Sequence, residues 1–154
     1  MKIQVADGAL LRVAARLLDM FNQEFAEPTP GPEVLAARLA HLVEAGDTSI
    51  LVALDDAGDG AGVSVLRLRG ALWSPDLEAY LAELFVVPER RRSGIGGRLL
   101  QATLDHARQR GASYIDLTTT EDDVAARHLY EKFGFVRTWG RTDGPLSFYY
   151  EREL

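Results

Sequence analysis

The sequence predicts a mixed α/β fold, a single domain whose partly parallel central sheet is flanked by helices. Three observations predict it. Helical and strand-type hydrophobic periodicities alternate along the chain. A strand–helix–strand succession in the middle calls for a parallel pair. Turn clusters between neighbouring strands towards either end call for antiparallel hairpins. With 154 residues, 47% of them hydrophobic, the chain has the size of one domain and the apolar content to fill one core. No repeat, low-complexity tract or long linker interrupts it, so residues 1–154 read as one unit.

The elements follow in the order βααβββαβαββ. Lys2 to Ala6 reads as a short strand, with Asp7 placed to cap the next element. Leu10, Val13, Ala14, Leu17, Leu18 and Phe21 recur at helical spacing and predict a helix over 9–25. The proline-rich break at 28–32 ends it, and Pro32 suits the first turn of a second helix reaching about Ala45. Strands are expected at 49–54 and 61–69, joined by the turn cluster 55–60, and at 78–87. A helix follows over 94–110, with Ile95, Leu99, Thr103 and Ala107 along one face. A strand at 113–118 and a short helix at 122–132 come next. Two final strands, 135–141 and 146–152, flank the turn at Asp143-Gly144.

Composition narrows the function. Charged residues make up 26% and the formal net charge is −6, which argues against a nucleic-acid binder and is compatible with a cationic acceptor. There is no cysteine, so disulfides, thiolate metal sites and a cysteine nucleophile are excluded. His41, His106 and His128 show no ligand spacing, and no metal is expected. The first nine residues lack a signal-peptide apolar run, and no stretch approaches the ~18 apolar residues of a membrane span. A cytoplasmic protein without a membrane partner is the expectation.

The segment from Val86 to Leu100 passes from a strand end, through a basic loop, into a helix start. Arg90, Arg91, Arg92 and Arg98 crowd that start, where the backbone dipole disfavours cations. Gly94, Gly96 and Gly97 sit in the first turn, each costing up to about 1 kcal/mol against alanine in a helix interior. A bound anion resolves both oddities. Free N–H groups at a helix start cradle phosphate oxygens, and glycine permits close approach. The P-loop lysine and Ser/Thr are absent, and the N-terminal βαβ setting of a dinucleotide site is missing.

Arg91-x-x-Gly94-x-Gly96, after Val87-Pro88 and before Leu99-Leu100, resembles the Arg/Gln-x-x-Gly-x-Gly/Ala signature of the GNAT acyltransferase superfamily. The element order resembles that family over nearly the whole chain. The resemblance implies that Arg91, Arg92, Ser93, Gly94, Ile95, Gly96 and Gly97 hold the pyrophosphate of acetyl-CoA as co-substrate. A second match, Ala126-x-x-Leu129-Tyr130-x-x-x-Gly134-Phe135, implies that Tyr130 lies near the sulfur of acetyl-CoA. There its phenol, with a reference pKa near 10, can protonate the leaving thiolate. The family's asparagine seven residues before this tyrosine is replaced by Asp123. Asp123 is either a cofactor contact or part of a capping box with Thr120. The strand at Leu84, Phe85 and Val86 matches the one whose backbone pairs with the pantetheine arm, where an N–H polarises the thioester carbonyl.

An alkylamine is almost fully protonated at neutral pH, so a base is needed. Glu83 is the candidate. Strand alternation puts it on the face of Leu81 and Phe85, where burial would raise its pKa into the range of a useful base. Ala82 stands where polyamine acetyltransferases often carry a second acidic residue, which weakens a polyamine assignment; Glu78 is a lesser candidate base. Glu24 and Glu27, at and just beyond the end of the first helix, either attract a cation or are solvated turn residues, and the Trp73–Asp76 loop reads as a further wall of the acceptor site.

The expected activity is N-acetyl transfer from acetyl-CoA to a primary amine by direct attack in a ternary complex, with a small-molecule amine as acceptor. The alternatives are a protein lysine or N-terminal acetyltransferase and a non-catalytic acyl-CoA-binding module. A homodimer fits the habits of the family, with the final strands as an interface.

Overall fold

A computed structural model describes residues 1–154. The elements are β1 (Lys2–Val5), α1 (Gly8–Glu24), α2 (Pro32–Glu44), β2 (Thr48–Leu54), β3 (Gly60–Gly70), β4 (Leu77–Val86), a 3₁₀ turn (Pro88–Arg90), α3 (Ile95–Gln109), β5 (Ala112–Leu117) and α4 (Val124–Lys132). The five strands form one mixed sheet in the order β1-β2-β3-β4-β5. The first four are successively antiparallel, and the β4–α3–β5 crossover supplies the parallel part. The chain divides into two compact units, Met1–Ile115 and Asp116–Leu154.

In the first unit the strands are apolar on both faces because helices cover both. Leu11, Ala14, Ala15, Leu17 and Leu18 of α1, with Leu39 of α2, pack on Ile50, Val52, Val63, Val65 and Phe85. On the other face Ile95 and Leu99 of α3 meet Leu51, Ala53 and Ala61, while Ala107 meets Leu66, Leu68 and Ala79. One buried polar pair crosses that second interface, Ser64 to Thr103 at 2.7 Å. Thr103 donates its single hydroxyl hydrogen to the Leu99 carbonyl, so Ser64 is the donor to Thr103. Asp7 does precede α1, but its side chain makes no cap bond; its carbonyl accepts from Leu10 instead.

Gly62 lies at a close crossing of β3 and β4. A Cβ there would sit 2.8 Å from the Phe85 carbonyl and 3.4 Å from Leu99. Gly62→Ala is therefore expected to lower stability by about 1–3 kcal/mol in a urea titration.

The register of β3 on β4 slips between Val65 and Leu66. Val65 faces Glu83 and Leu66 faces Leu81, leaving Ala82 as the extra residue of a bulge. This corrects the expected alternation. Leu81 stands opposite Leu66, in the α3 layer, whereas Glu83 stands opposite Val65, in the α1–α2 layer. Glu83 thus shares its face with Phe85 but not with Leu81.

The second unit departs from expectation at its end. The strands predicted over 135–141 and 146–152 do not form; one isolated bridge, Thr138 to Leu146, stands in their place, with backbone bonds from Trp139 to Pro145 and from Ser147 to Arg137. The apolar alternation there is genuine, but Gly140 takes a left-handed conformation (φ 72°) and Pro145 has no N–H to give a ladder. The element order accordingly ends at α4. Val136, Leu146, Phe148, Tyr149 and Tyr150 are exposed, and Trp139 is 74% exposed. In the first unit the Ala71–Asp76 loop carries Trp73 at 93% exposure.

Candidate acetyl-transfer site

The anion loop is built by two left-handed residues. The chain leaves β4 at Val86, makes the 3₁₀ turn, and reaches α3 through Arg92 (φ 61°) and Gly94 (φ 83°). Gly94 is the N-cap, no side chain caps the helix, and its first turn holds no acidic residue. The first intrahelical bond runs from the Arg98 N–H to the Gly94 carbonyl at 3.1 Å. The N–H groups before Arg98 therefore have no intrahelical acceptor. This bare start of a 15-residue helix fits the phosphates of a nucleotide-bearing co-substrate.

The arginines divide their work. Arg90 reaches Asp55 at 2.6 Å, and Asp55 itself closes the β2–β3 turn by accepting from the N–H groups of Ala57 and Asp59. Those backbone bonds come first, and Arg90 later, among the causes that hold the Asp55 carboxyl below its usual range. Arg91 grips Glu24, at the end of α1, through two bonds of 2.7 and 2.5 Å, and donates Nε to the Val86 carbonyl at 3.0 Å. Its guanidinium also lies 5.7 Å from the centre of the Phe85 ring, which stacks on Phe21 at 5.2 Å. Two members of the basic run thus brace the loop against the β2–β3 turn and against α1. Glu24, expected to be a solvated turn residue, is one of the braces; the sequence carries no signal of a partner 67 residues away.

The end of α1 is itself fixed. Ala26 takes the left-handed position (φ 54°), the Ala26 N–H bonds to the Gln23 carbonyl, and the Glu27 N–H bonds to the Asn22 carbonyl at 2.8 Å. The Asn22 amide donates to the Pro28 carbonyl at 2.8 Å. Beside this end opens a cleft of about 230 Å³ between α1, α2 and the sheet. Its walls are apolar, with Leu18, Leu35, Leu39 and Val65 among them; its polar members are Asn22, Arg67 and Glu83. Burial pushes the Glu83 carboxyl up from its ordinary value. Periodicity alone gives no reason to single out Arg67, which shares its strand with Arg69, or Asn22.

Leu84 and Val86 turn towards α3 and Phe85 towards α1. The backbone of all three pairs with β3, opposite Ser64, Gly62 and Val63 respectively. Glu83, Leu84, Phe85, Val86 and the whole Arg91–Gly97 loop belong to the first unit, and Asp123 and Tyr130 to the second.

In the second unit Asp123 is the N-cap of α4 and accepts from the Ala126 N–H at 3.0 Å. Its carboxylate does this alone: Thr120 bonds to Asp122 instead, so the capping box with Thr120 is not formed. The far end of α4 explains the Tyr130-x-x-x-Gly134-Phe135 spacing. Gly134 is left-handed (φ 86°), its N–H bonds to the Glu131 carbonyl, and the Phe135 N–H bonds back to the Tyr130 carbonyl at 3.1 Å. The Phe135 ring then meets the Tyr130 ring edge-on at 5.8 Å. This is the helix-ending pattern in which a C″ side chain packs on C3. It holds the tyrosine from both its backbone and its ring.

The Acetyltransferase (GNAT) family model matches residues 14–135, and the chain belongs to this family, whose members use acetyl-CoA. It is 35% identical over 129 residues to the uncharacterized N-acetyltransferase YhfO of Bacillus subtilis, covering 82% of this chain and 86% of that one. A crystal structure of an acetyltransferase from Arthrobacter sp. FB24 superimposes with a TM-score of 0.86 at 36% identity, covering 100% of this chain and 96% of that one. The streptothricin acetyltransferase of Streptomyces lavendulae is 33% identical over 93 residues, covering 60% of this chain and 47% of that one. The protein is an N-acetyltransferase by family. No helix is long and apolar enough to cross a membrane.

Proposed function

We propose that the protein moves the acetyl group of acetyl-CoA to the amine of a small molecule by direct attack in a ternary complex. The observation that carries this reading is the cleft. It places a half-buried carboxylate, Glu83, in an apolar-walled space of about 230 Å³, below the roughly 300–1,000 Å³ of pockets that enclose drug-sized ligands. The likeness to an enzyme that acts on streptothricin, a small molecule, supports the same reading.

Glu83 takes the proton of the incoming ammonium, directly or through a water, and frees the lone pair that attacks the thioester carbonyl. The Leu84–Val86 backbone lines the pantetheine arm, and an N–H there meets the developing oxyanion. The Arg91–Gly97 loop takes the pyrophosphate on its free N–H groups, braced by Arg90 and Arg91. Arg92 and Ser93 stand at the same turn, where a phosphate bound to those N–H groups lies within their reach. Tyr130 protonates the departing thiolate. Asp123 reaches the cofactor arm only if its cap bond to Ala126 is shared.

Acetyl-CoA-dependent release of thiol in the presence of a panel of primary amines tests the reading, and a chain without cysteine adds no background to that assay. Tyr130→Phe is expected to lower kcat by about 10²-fold with little change in the KM for acetyl-CoA. A lost kcat restored at higher pH, where thiolate protonation matters less, would match the acid role; an unchanged kcat would remove Tyr130 from it.

A further inference from the structure

The acceptor cleft contains a second charge that transfer to a simple amine does not use. Arg67 of β3 lines it together with Glu83. Val63, Val65 and Arg67 alternate onto one face of β3, and Val65 is directly opposite Glu83. Arg67 is therefore two residues, or about 7 Å of strand, along from the base.

Arg67 and Glu83 do not satisfy each other. The ion pair Arg67 makes is with Asp47, through Nη2, at a loose 3.9 Å between half-exposed side chains. Its Nε is buried without a hydrogen-bond partner. A buried guanidinium N–H with no acceptor costs free energy that a ligand can recover. The two cleft charges have opposite sign, and a few bonds of a small molecule span the gap between them.

We infer, building on the acetyl-transfer reading, that the acceptor is a zwitterionic amine of amino-acid type, its ammonium at Glu83 and its carboxylate on Arg67. The planar guanidinium suits a carboxylate because it offers paired N–H donors in one plane. The same arrangement rejects amines that lack the anion, since these leave Arg67 unsatisfied beneath them. Leu18, Leu35 and Leu39 then face the side chain and favour apolar ones.

The test measures thiol release for L-amino acids beside the amines obtained by replacing each carboxylate with hydrogen, leucine against isopentylamine for example. The wild-type protein is expected to prefer the amino acid by roughly 10–100-fold in kcat/KM, mostly through KM. Arg67→Gln is expected to bring that ratio close to one, and Arg67→Lys to leave it between the two. Comparing two acceptors on one protein preparation cancels any loss of folded material. Transfer to both acceptors without preference, or a preference that survives in Arg67→Gln, overturns this inference and leaves the acetyl-transfer reading standing. Transfer to no amine by protein that binds acetyl-CoA overturns both.

Discussion

Glu83→Gln is expected to lower kcat/KM at neutral pH by about 10²-fold, the lower end of what a positioned general base supplies. The amide keeps the size of the carboxylate, so the cleft walls of Leu18 and Val65 stay packed. What is lost is the ability to take a proton. The pH dependence distinguishes this from a merely structural glutamate. Burial raises the Glu83 pKa, so the acid limb of the wild-type kcat/KM profile should lie above the ordinary glutamate range and vanish in the variant. Arg67 from β3 faces the same cleft, while α1 and α2 present only Leu18, Asn22, Leu35 and Leu39 there. Stability should move with the same group. Because its folded pKa is raised, the protonated carboxyl favours the fold; that contribution is fully present below the unfolded-state pKa and is lost as pH rises through the folded one. Glu83→Gln, which never ionises, should therefore gain stability relative to wild type as pH rises from near 4.5. Thermal melts across pH check this. An acid limb that persists in the variant would assign the base elsewhere, with Glu78 next in line.

Gly94→Val should weaken acetyl-CoA at least tenfold, read by calorimetric titration. Gly94 holds φ 83° at the N-cap of α3, where a side-chain residue costs about 1–2 kcal/mol and a β-branched one more. Nothing lies within 4 Å of a Cβ at this position, so the effect comes from the backbone and not from a clash. To relieve the strain the turn must rotate, and the N–H groups of Ile95 and Gly96 leave the direction in which phosphates arrive. About 1.4 kcal/mol of lost pre-organisation is already tenfold in Kd. Gly94→Ala should fall between the two proteins. Full affinity in Gly94→Val would mean that the loop carries no phosphate.

The elements with strong periodicity were legible to within one or two residues at most ends, α1, α2, α3 and β2–β5 among them. So was the anion loop, because glycines and arginines at a helix start conflict with local preference and therefore advertise a function. Three things were not legible. The bulge at Ala82 is a register event between two strands, and a single strand's alternation cannot contain it; this is why alternation alone assigns Leu81 to the face of Glu83. The pairing of Arg91 with Glu24 and the exposure of Arg67 to the cleft depend on which distant elements meet. The missing final strands show the converse error: alternating Val136, Leu146, Phe148 and Tyr150 satisfy a strand pattern, but Gly140 and Pro145 deny the ladder its geometry and its donor. Asp123 caps α4 by itself, through the Ala126 N–H, and not in the box with Thr120 that the sequence offers.

The exposure of Trp73 and Trp139, one in each unit, has a practical outcome. These are the only two indoles in the chain, and both already sit in a water-like surrounding. Their emission in the native protein should lie close to that of the denatured chain, and soluble collisional quenchers such as iodide should reach both before any unfolding. Emission is thus a poor gauge of folding for the variants above, and far-ultraviolet dichroism from the helices the sensible one. The same two indoles remain serviceable as local reporters, since a molecule that settles over either would shield it from the quencher.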